Sequence, residues 1–154
     1  MGVRFVDILR PDCVLPDLSG TSVQSVLSEL AAPVAAAQGL EAKRLVESLL
    51  AREKLGSTGV GDGVAIPHCK VAGLAQVAAS FGRCRAGVDF RSLDGKPTTL
   101  FVALFAPERG GAEHLQALAR VSRILKRAPF RQALLDAPDA AALYALIAEE
   151  DAAP

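Results

Sequence analysis

The sequence predicts an α/β fold, a single domain in which a mixed β-sheet is flanked by helices. Helical spacing of apolar residues dominates the first and last thirds of the chain, whereas the middle third carries short β-like stretches separated by Gly, Asp and Pro. The chain has 154 residues, of which 51% are apolar, and this suffices for one sizeable core. We therefore expect residues 1–154 to form one domain.

Two helices are predicted in the first third. The stretch 21–24 matches a capping box and is followed by helical spacing, so a helix begins near Ser22. Pro33 or Gly39 ends or bends this helix. A second helix extends over residues 41–54 and ends before the next glycine, with a buried stripe formed by Leu45, Val46, Leu49 and Leu50.

The remaining elements follow from changes of periodicity. Short strands are predicted at residues 64–66, 77–84 and 99–106. Residues 112–127 return to helical spacing, Pro129 marks the end of that helix, and Asp139 is the expected N-cap of a last helix. If the helix continues past Ala128, a basic face is formed by Arg120, Arg123, Arg127 and Arg131. This face would be either solvated or a docking surface.

Charge and hydropathy argue against several classes of function. Seventeen Lys and Arg balance seventeen Asp and Glu, so no global field attracts nucleic acid or anionic membranes. No apolar run approaches the roughly 20 residues that span a bilayer. Asp7 interrupts the apolar opening, unlike a secretory signal. We expect a cytoplasmic protein that is not membrane-embedded and binds no nucleic acid.

The cysteines and histidines do not have the spacing of a metal site. Cys13, Cys69 and Cys84 are odd in number and lack C-x-x-C spacing, which argues against both a disulfide framework and a thiolate zinc site. His68 and His114 lack the i, i+4 spacing of a helical metal motif. We expect three reduced thiols, no metal and no cofactor.

A glycine-rich loop and a histidine form the main candidate site. The loop GSTGVGDG at residues 56–63 permits positive φ and lets backbone amides approach an anion, although it could equally be a flexible connection. In the following stretch, Pro67 fixes φ and restricts Ile66 to extended geometry, which holds His68 at a strand end. A held neutral imidazole can attack phosphorus or accept a proton. The alternative is a histidine bound only to a backbone carbonyl.

Other side chains could support such a site. Arg52 lies at the border of the apolar stripe of its helix and could reach a phosphoryl oxygen, unless it pairs with Glu53 or Glu47 or is solvated. His114 lies in the first turn of a helix, where anions are favoured, or is a surface histidine in a mobile loop. A shared site of two histidines is the hypothesis that these positions favour.

Three further residues lie close to the candidate histidine in sequence. Ser57 and Thr58 could hydrogen-bond an anion or cap the turn. Cys69 is adjacent to His68, but neighbours on an extended segment point to opposite faces, so a Cys/His nucleophilic pair is discounted.

Three stretches together resemble a known family: AREKLGSTGVGDGVAIPHCK at 51–70, DGKPTTLFVALFAPE at 94–108 and EHLQALARVSRIL at 113–125. They are similar to the type-2 enzyme IIA domains of the phosphoenolpyruvate phosphotransferase system, and most of all to the stand-alone nitrogen-regulatory form. The resemblance extends over nearly the whole chain. It implies a mixed sheet flanked by helices.

By this resemblance, His68 would be phosphorylated as a tele-phosphohistidine, taking its phosphoryl group from an HPr-like carrier. Arg52 and His114 match the supporting arginine and second histidine of the family, and Ser57 and Thr58 fall in the loop that borders the site. The implied role is regulatory control of partner proteins, such as sensor kinases or potassium transport components. The protein would be a phosphotransferase component rather than a turnover enzyme.

Two other functions remain open at this point. The chain could be a sugar-specific IIA of the fructose or mannitol class that serves a separate IIB or permease. It could also be an interaction module that is never phosphorylated. The presence of Arg52, His68 and His114 favours a phosphocarrier, since a degenerate module has no need of all three.

Overall fold

The computed structural model describes residues 3–109 and 111–153. Its helices are α1 (Phe5–Ile8), α2 (Val23–Gln38), α3 (Ala42–Glu53), α4 (Gly111–Leu125), α5 (Ala128–Asp136) and α6 (Ala140–Ala152). Its strands are β1 (Leu9–Leu15), β2 (Gly59–Gly61), β3 (Val64–Ala65), β4 (His68–Val71), β5 (Ala78–Val88) and β6 (Thr98–Pro107). None of the helices described is long and apolar enough to cross a bilayer.

The strands form one mixed sheet, as the sequence predicts. Its order is β1-β5-β6-β3-β2, and β4 also pairs with β6. β5 and β6 are antiparallel, whereas β1 is parallel to β5, and both β3 and β4 are parallel to β6. β6 lies at the centre, and its residues Leu100 to Ala106 are almost completely buried, because this sheet is covered on both faces.

Two contacts from β5 show how both faces are covered. The Ser80 hydroxyl donates to the Leu30 carbonyl of α2 at 2.8 Å. Arg83, three residues along the strand and therefore on the opposite face, donates from Nη1 to the Leu134 and Ala137 carbonyls at 2.8 and 2.7 Å. α2 therefore packs on one face, and the end of α5 lies against the other.

β3 and β4 behave as one strand that is interrupted at a proline. Val64 pairs with Leu100 and His68 with Leu104, so the pairing offset is 36 residues on both sides of the interruption and no residue is inserted. Pro67 still accepts a hydrogen bond from Leu104 at 2.8 Å but has no N–H to donate. His68 therefore begins a second short segment, instead of ending the first strand as the sequence predicts.

The helix start and stop signals are largely confirmed. Ser22 caps α2, and the capping box is formed with Ser25, one position later than the predicted box. Gly39 ends the helix in the left-handed conformation with φ 68°, whereas Pro33 lies inside it. The α3 prediction agrees with the structure, and the Asp139 carboxylate caps α6 through the Ala142 N–H at 2.8 Å.

The region around Pro129 differs from the prediction. Pro129 does not end a helix; it lies in the first turn of α5, where its missing N–H costs no hydrogen bond. The expected continuous basic face therefore does not form. Three of its four arginines instead bind within the fold: Arg120 to Asp151, Arg127 to Glu150, and Arg131 to the Leu125 and Lys126 carbonyls.

The N-terminal and C-terminal elements are connected through one buried carboxylate. The Asp151 side chain is fully buried and accepts from Arg120 Nε at 2.7 Å. It also accepts from the backbone N–H of Val6 at 3.0 Å. This carboxylate therefore joins α1 and α6 to α4.

Candidate functional site

His68 begins β4, and its imidazole is held by a main-chain carbonyl. Its Nδ1 lies 2.8 Å from the Ile66 carbonyl oxygen. A carbonyl only accepts hydrogen bonds, so Nδ1 carries the hydrogen and Nε2 of the neutral ring carries the lone pair. The Ile66 N–H donates to the Thr58 carbonyl, so the backbone polar groups of Ile66 point away from β6. The bond to a carbonyl that the sequence left as an alternative is present, and it leaves the lone pair on Nε2.

His114 lies beside His68, which is the shared arrangement that the sequence suggested. The ring centroids are 5.5 Å apart, and the planes meet at 74° in an edge-on arrangement. His114 is 8% exposed in the first turn of α4, so it is not a surface histidine in a loop. Its Nε2 is buried and has no hydrogen-bond partner among residues 3–109 and 111–153. Burial lowers the pKa of His114, and the neighbouring His68 and Lys70 lower it further.

Arg52 lies in the last turn of α3 and is held against the glycine-rich loop. Its guanidinium donates to the Gly56 carbonyl at 2.9 Å. Within the described ranges it forms no ion pair with Glu53 or Glu47. The structure thus brings Arg52 to the loop that precedes His68, with donors of its guanidinium still available.

The hydroxyls of Ser57 and Thr58 are used inside the protein. Thr58 donates from its N–H and its hydroxyl to the two Glu53 carboxylate oxygens, at 2.8 and 2.6 Å. The Ser57 hydroxyl donates to the Phe90 carbonyl and accepts from the Gly59 N–H. These contacts favour the turn-holding alternative over direct anion binding by the hydroxyls. They fix the loop that borders the site.

Two glycines of the loop have different physical requirements. Gly63 has φ 77°, a conformation that side chains rarely adopt. Gly59 instead allows a close approach to Ser92, because a Cβ at position 59 would come within 2.6 Å of the Ser92 hydroxyl and 3.1 Å of the Ser92 Cα. The loop is therefore packed against the segment before β6, rather than being a loose connection.

Sequence reasoning missed two residues at the site. Glu53 anchors Thr58, and a signal for this was its position at the end of α3, five residues before the threonine. Lys70 follows His68 by two residues, and the alternation of a strand would have placed both on one face. Cys69, between them, is buried.

No metal centre can be built from the residues that the structure describes, since no group of three His, Cys, Asp or Glu side chains could hold an ion there. The three cysteines are buried thiols. Burial raises the pKa of Cys69 to about 12 and that of Cys13 to about 11, which makes both poor nucleophiles near neutral pH.

The chemistry available at this site is nucleophilic. One imidazole nitrogen carries a free lone pair, a second buried imidazole lies beside it, and an arginine is held at the adjoining loop. Phosphoryl transfer requires a positioned nucleophile and donors around the phosphoryl oxygens rather than a strong acid or base. The arrangement therefore suits the reversible acceptance of a phosphoryl group.

Comparison with known proteins identifies the family. Residues 7–150 match the family described as "Phosphoenolpyruvate-dependent sugar phosphotransferase system, EIIA 2". A nitrogen regulatory protein of Bradyrhizobium diazoefficiens is 43% identical over 144 residues, which cover 94% of each chain. A second nitrogen regulatory protein, from Pseudomonas aeruginosa, is 40% identical over 148 residues and covers 96% of each chain. The chain belongs to the type-2 EIIA family of the phosphoenolpyruvate-dependent phosphotransferase system, as the resemblance indicated.

A solved structure agrees with this family. The nitrogen regulatory protein IIA-Ntr from Neisseria meningitidis superposes with a TM-score of 0.86 at 34% identity, covering 92% of this chain and 97% of that one. The chain therefore has the fold of a nitrogen-regulatory IIA protein.

Proposed function

We propose that this protein is a regulatory phosphocarrier that accepts a phosphoryl group on Nε2 of His68 from the phosphohistidine of an HPr-like carrier. The observation that carries the proposal is the hydrogen bond from His68 Nδ1 to the Ile66 carbonyl. It assigns the lone pair to Nε2 and holds the ring while the partner approaches. Relatives named as nitrogen regulatory proteins support a regulatory role over most of the chain length.

The transfer of the phosphoryl group requires no added base. The Nε2 lone pair forms a bond to phosphorus while the bond from phosphorus to the donor's ring nitrogen breaks. The proton stays on Nδ1, which donates a hydrogen bond to the Ile66 carbonyl. The ring then carries positive charge, which keeps Nε2 a good leaving group for onward transfer. Arg52 and the unpartnered His114 Nε2 are the groups we assign to the phosphoryl oxygens.

The consequence of phosphorylation is electrostatic. The added group brings about two negative charges at pH 7 into a site bordered by the glycine-rich loop. A partner that buries this site would have to desolvate those charges, which is costly. We infer that target proteins, such as sensor kinases or potassium transport components, distinguish the phosphorylated from the unphosphorylated form. This recognition takes place in the cytoplasm, and the whole chain acts in it as one domain.

A sugar-specific role is a second candidate. The fructose-specific EIIABC component of Bacillus subtilis is 33% identical over 150 residues, which cover 97% of this chain but only 24% of that protein. In that case the phosphoryl group would pass from His68 to a separate IIB protein.

The proposal is tested by incubating the protein with phosphoenolpyruvate, enzyme I and an HPr-type carrier, followed by intact mass measurement. We expect one acid-labile phosphoryl group on the parent protein and none on His68→Gln. The matched control is His114→Gln. This variant keeps Nε2 of His68 as the acceptor and should be phosphorylated more slowly than the parent. Equal labelling of His68→Gln and the parent, or an acid-stable label, would overturn the assignment.

The same phosphorylated protein separates the regulatory role from the sugar-specific role. We expect it to change its capture of cytosolic target proteins. Rapid loss of the label to a purified fructose- or mannitol-class IIB, without such a change in capture, would favour the sugar-specific role.

A further inference from the structure

Lys70 and His68 share one face of β4. Side chains alternate along a strand, and burial follows this pattern: Cys69 and Val71 are buried, Lys70 is exposed and His68 is half-buried. Two residues of strand advance the chain by about 6.5 Å. The four-carbon stem of Lys70 can cover this distance, so its ammonium can reach a group attached to the His68 ring.

The Lys70 ammonium is available to bind an anion. It has no ion-pair partner within residues 3–109 and 111–153. The β4 edge on the side away from β6 is likewise unpaired among the strands described. The Lys70 side chain can therefore change rotamer to approach a charge that appears beside it.

Lys70 also lies on the same side of the sheet as the second histidine. Its charge contributes to the lowered pKa of His114, after burial and after the contribution of His68. A lowered pKa keeps His114 neutral near pH 7, so that ring offers no cationic charge to an anion. Arg52 is already bound to the Gly56 carbonyl. Lys70 therefore adds to the Arg52 guanidinium a second full charge, which has no ion-pair partner among the described residues.

We propose that Lys70 neutralises the phosphoryl group on His68 and thereby sets how far the transfer from the donor proceeds. The inference rests on the proposed function and adds a charge-stabilising residue to it. An ammonium is a compact charge with three rotatable donors, which suits the freely rotating oxygens of a phosphoryl group. Lys70 acts on the phosphorylated state and leaves the lone pair of Nε2 to the Ile66 contact.

The test uses potassium phosphoramidate as a small chemical donor, which removes every contribution from protein docking. His68 Nε2 forms the bond to phosphorus while the P–N bond of the reagent breaks and ammonia leaves. The proteins are the parent, Lys70→Gln, Lys70→Arg and the control Lys43→Gln. Lys43 is an exposed lysine in the first turn of α3, at the opposite end of that helix from Arg52.

Two quantities are measured on each protein. The first is the pKa of the phosphoryl group, followed through its ³¹P chemical shift; for a phosphorylated side chain this pKa lies near 6. A cation nearby favours the dianion, so we expect Lys70→Gln to raise this pKa by about half a unit, equivalent to roughly a threefold loss of dianion binding. The second is the transfer equilibrium with a phosphorylated HPr-type carrier, which should shift about threefold or more toward the donor.

Lys70→Arg should restore most of both effects, and Lys43→Gln should match the parent. An unchanged phosphoryl pKa in Lys70→Gln would overturn the proposal, even if transfer from the protein carrier slowed, because that result assigns Lys70 to docking only. Failure of the parent to accept phosphoryl from either donor would overturn the proposed function and this inference together. Normal uptake by the parent with identical behaviour of Lys70→Gln would overturn this inference alone.

Discussion

Glu53 accepts two hydrogen bonds from Thr58, one from the backbone N–H at 2.8 Å and one from the hydroxyl at 2.6 Å. This pair closes the loop between α3 and β2, and the Thr58 carbonyl in turn receives the N–H of Ile66. The Ile66 carbonyl then holds the His68 ring. A helix-end carboxylate is thus linked to the candidate nucleophile through two intervening residues.

Replacing this carboxylate should loosen the loop. Hydrogen bonds to charged groups contribute about 1.5 to 3 kcal/mol. We expect Glu53→Ala to lower the free energy of unfolding by about 2 to 4 kcal/mol, and to slow phosphoryl uptake in rapid-quench experiments. The matched control is Glu47→Ala, an exposed position on the same helix, which should change neither quantity appreciably. Equal stability of both variants in urea titrations would contradict the anchoring role.

His114 should make the stability depend on pH. Its pKa in the folded protein is lowered from the ordinary value of 6.5, mainly by burial. The unfolded state then binds more protons between the folded pKa and 6.5, so stability is constant above this window and falls as the pH drops through it. We expect the stability advantage of the parent over His114→Phe to shrink from pH 8 to pH 5, by about 1.4 kcal/mol for each unit of lowering.

The same comparison in a His68→Gln background removes the second imidazole of the pair. The advantage should still shrink on acidification, since burial is the first cause of the lowered pKa. A constant difference at all pH values would mean that His114 titrates alike in the folded and unfolded protein.

The thiols should react slowly in the native protein. Burial raises the pKa of Cys69 to about 12 and that of Cys13 to about 11, so little thiolate exists at pH 8. We expect iodoacetamide to label the native protein slowly and to label all three cysteines in urea. Fast native labelling at Cys69 would show that β4 opens readily, and fewer than three labels in urea would indicate oxidation.

Charge at position 68 should control partner binding without changing the fold. A carboxylate there imitates part of the charge of a phosphoryl group, whereas alanine leaves the site uncharged. We expect His68→Asp to lose partners that His68→Ala retains, in capture from native cytosol. Circular dichroism should be the same for both variants. Identical partner sets would argue strongly against an electrostatic switch.

The helices could be predicted from the sequence because their signals are local. The caps at Ser22 and Asp139 and the left-handed stop at Gly39 depend on residues within one or two turns. The strands β1, β2 and β4 were not predicted as strands. β2 and β4 are short, and β1 is interrupted by a register shift between Leu9 and Val14, so alternation is too brief or broken to detect.

The site could be predicted in part for the same reason. His68 stood out because Pro67 precedes it, which is a local feature. The 5.5 Å contact between His68 and His114 depends on parallel pairing of β4 with β6 and on the packing of α4, and no spacing in the sequence encodes it. The hydroxyls of Ser57 and Thr58 were assigned two possible roles because their acceptors, Phe90 and Glu53, are brought to them by folding.

The hydrogen bond from the Val6 N–H to Asp151 closes a loop of 145 residues. During synthesis on the ribosome, the N-terminal helix cannot make this bond until the last helix has emerged, and contacts between such distant residues form late and slowly. The elements bearing His68 and His114 precede α6 in the chain, so they emerge before this bond can form. Emergence of α6 is therefore the event that secures α1 to the C-terminal half of the fold.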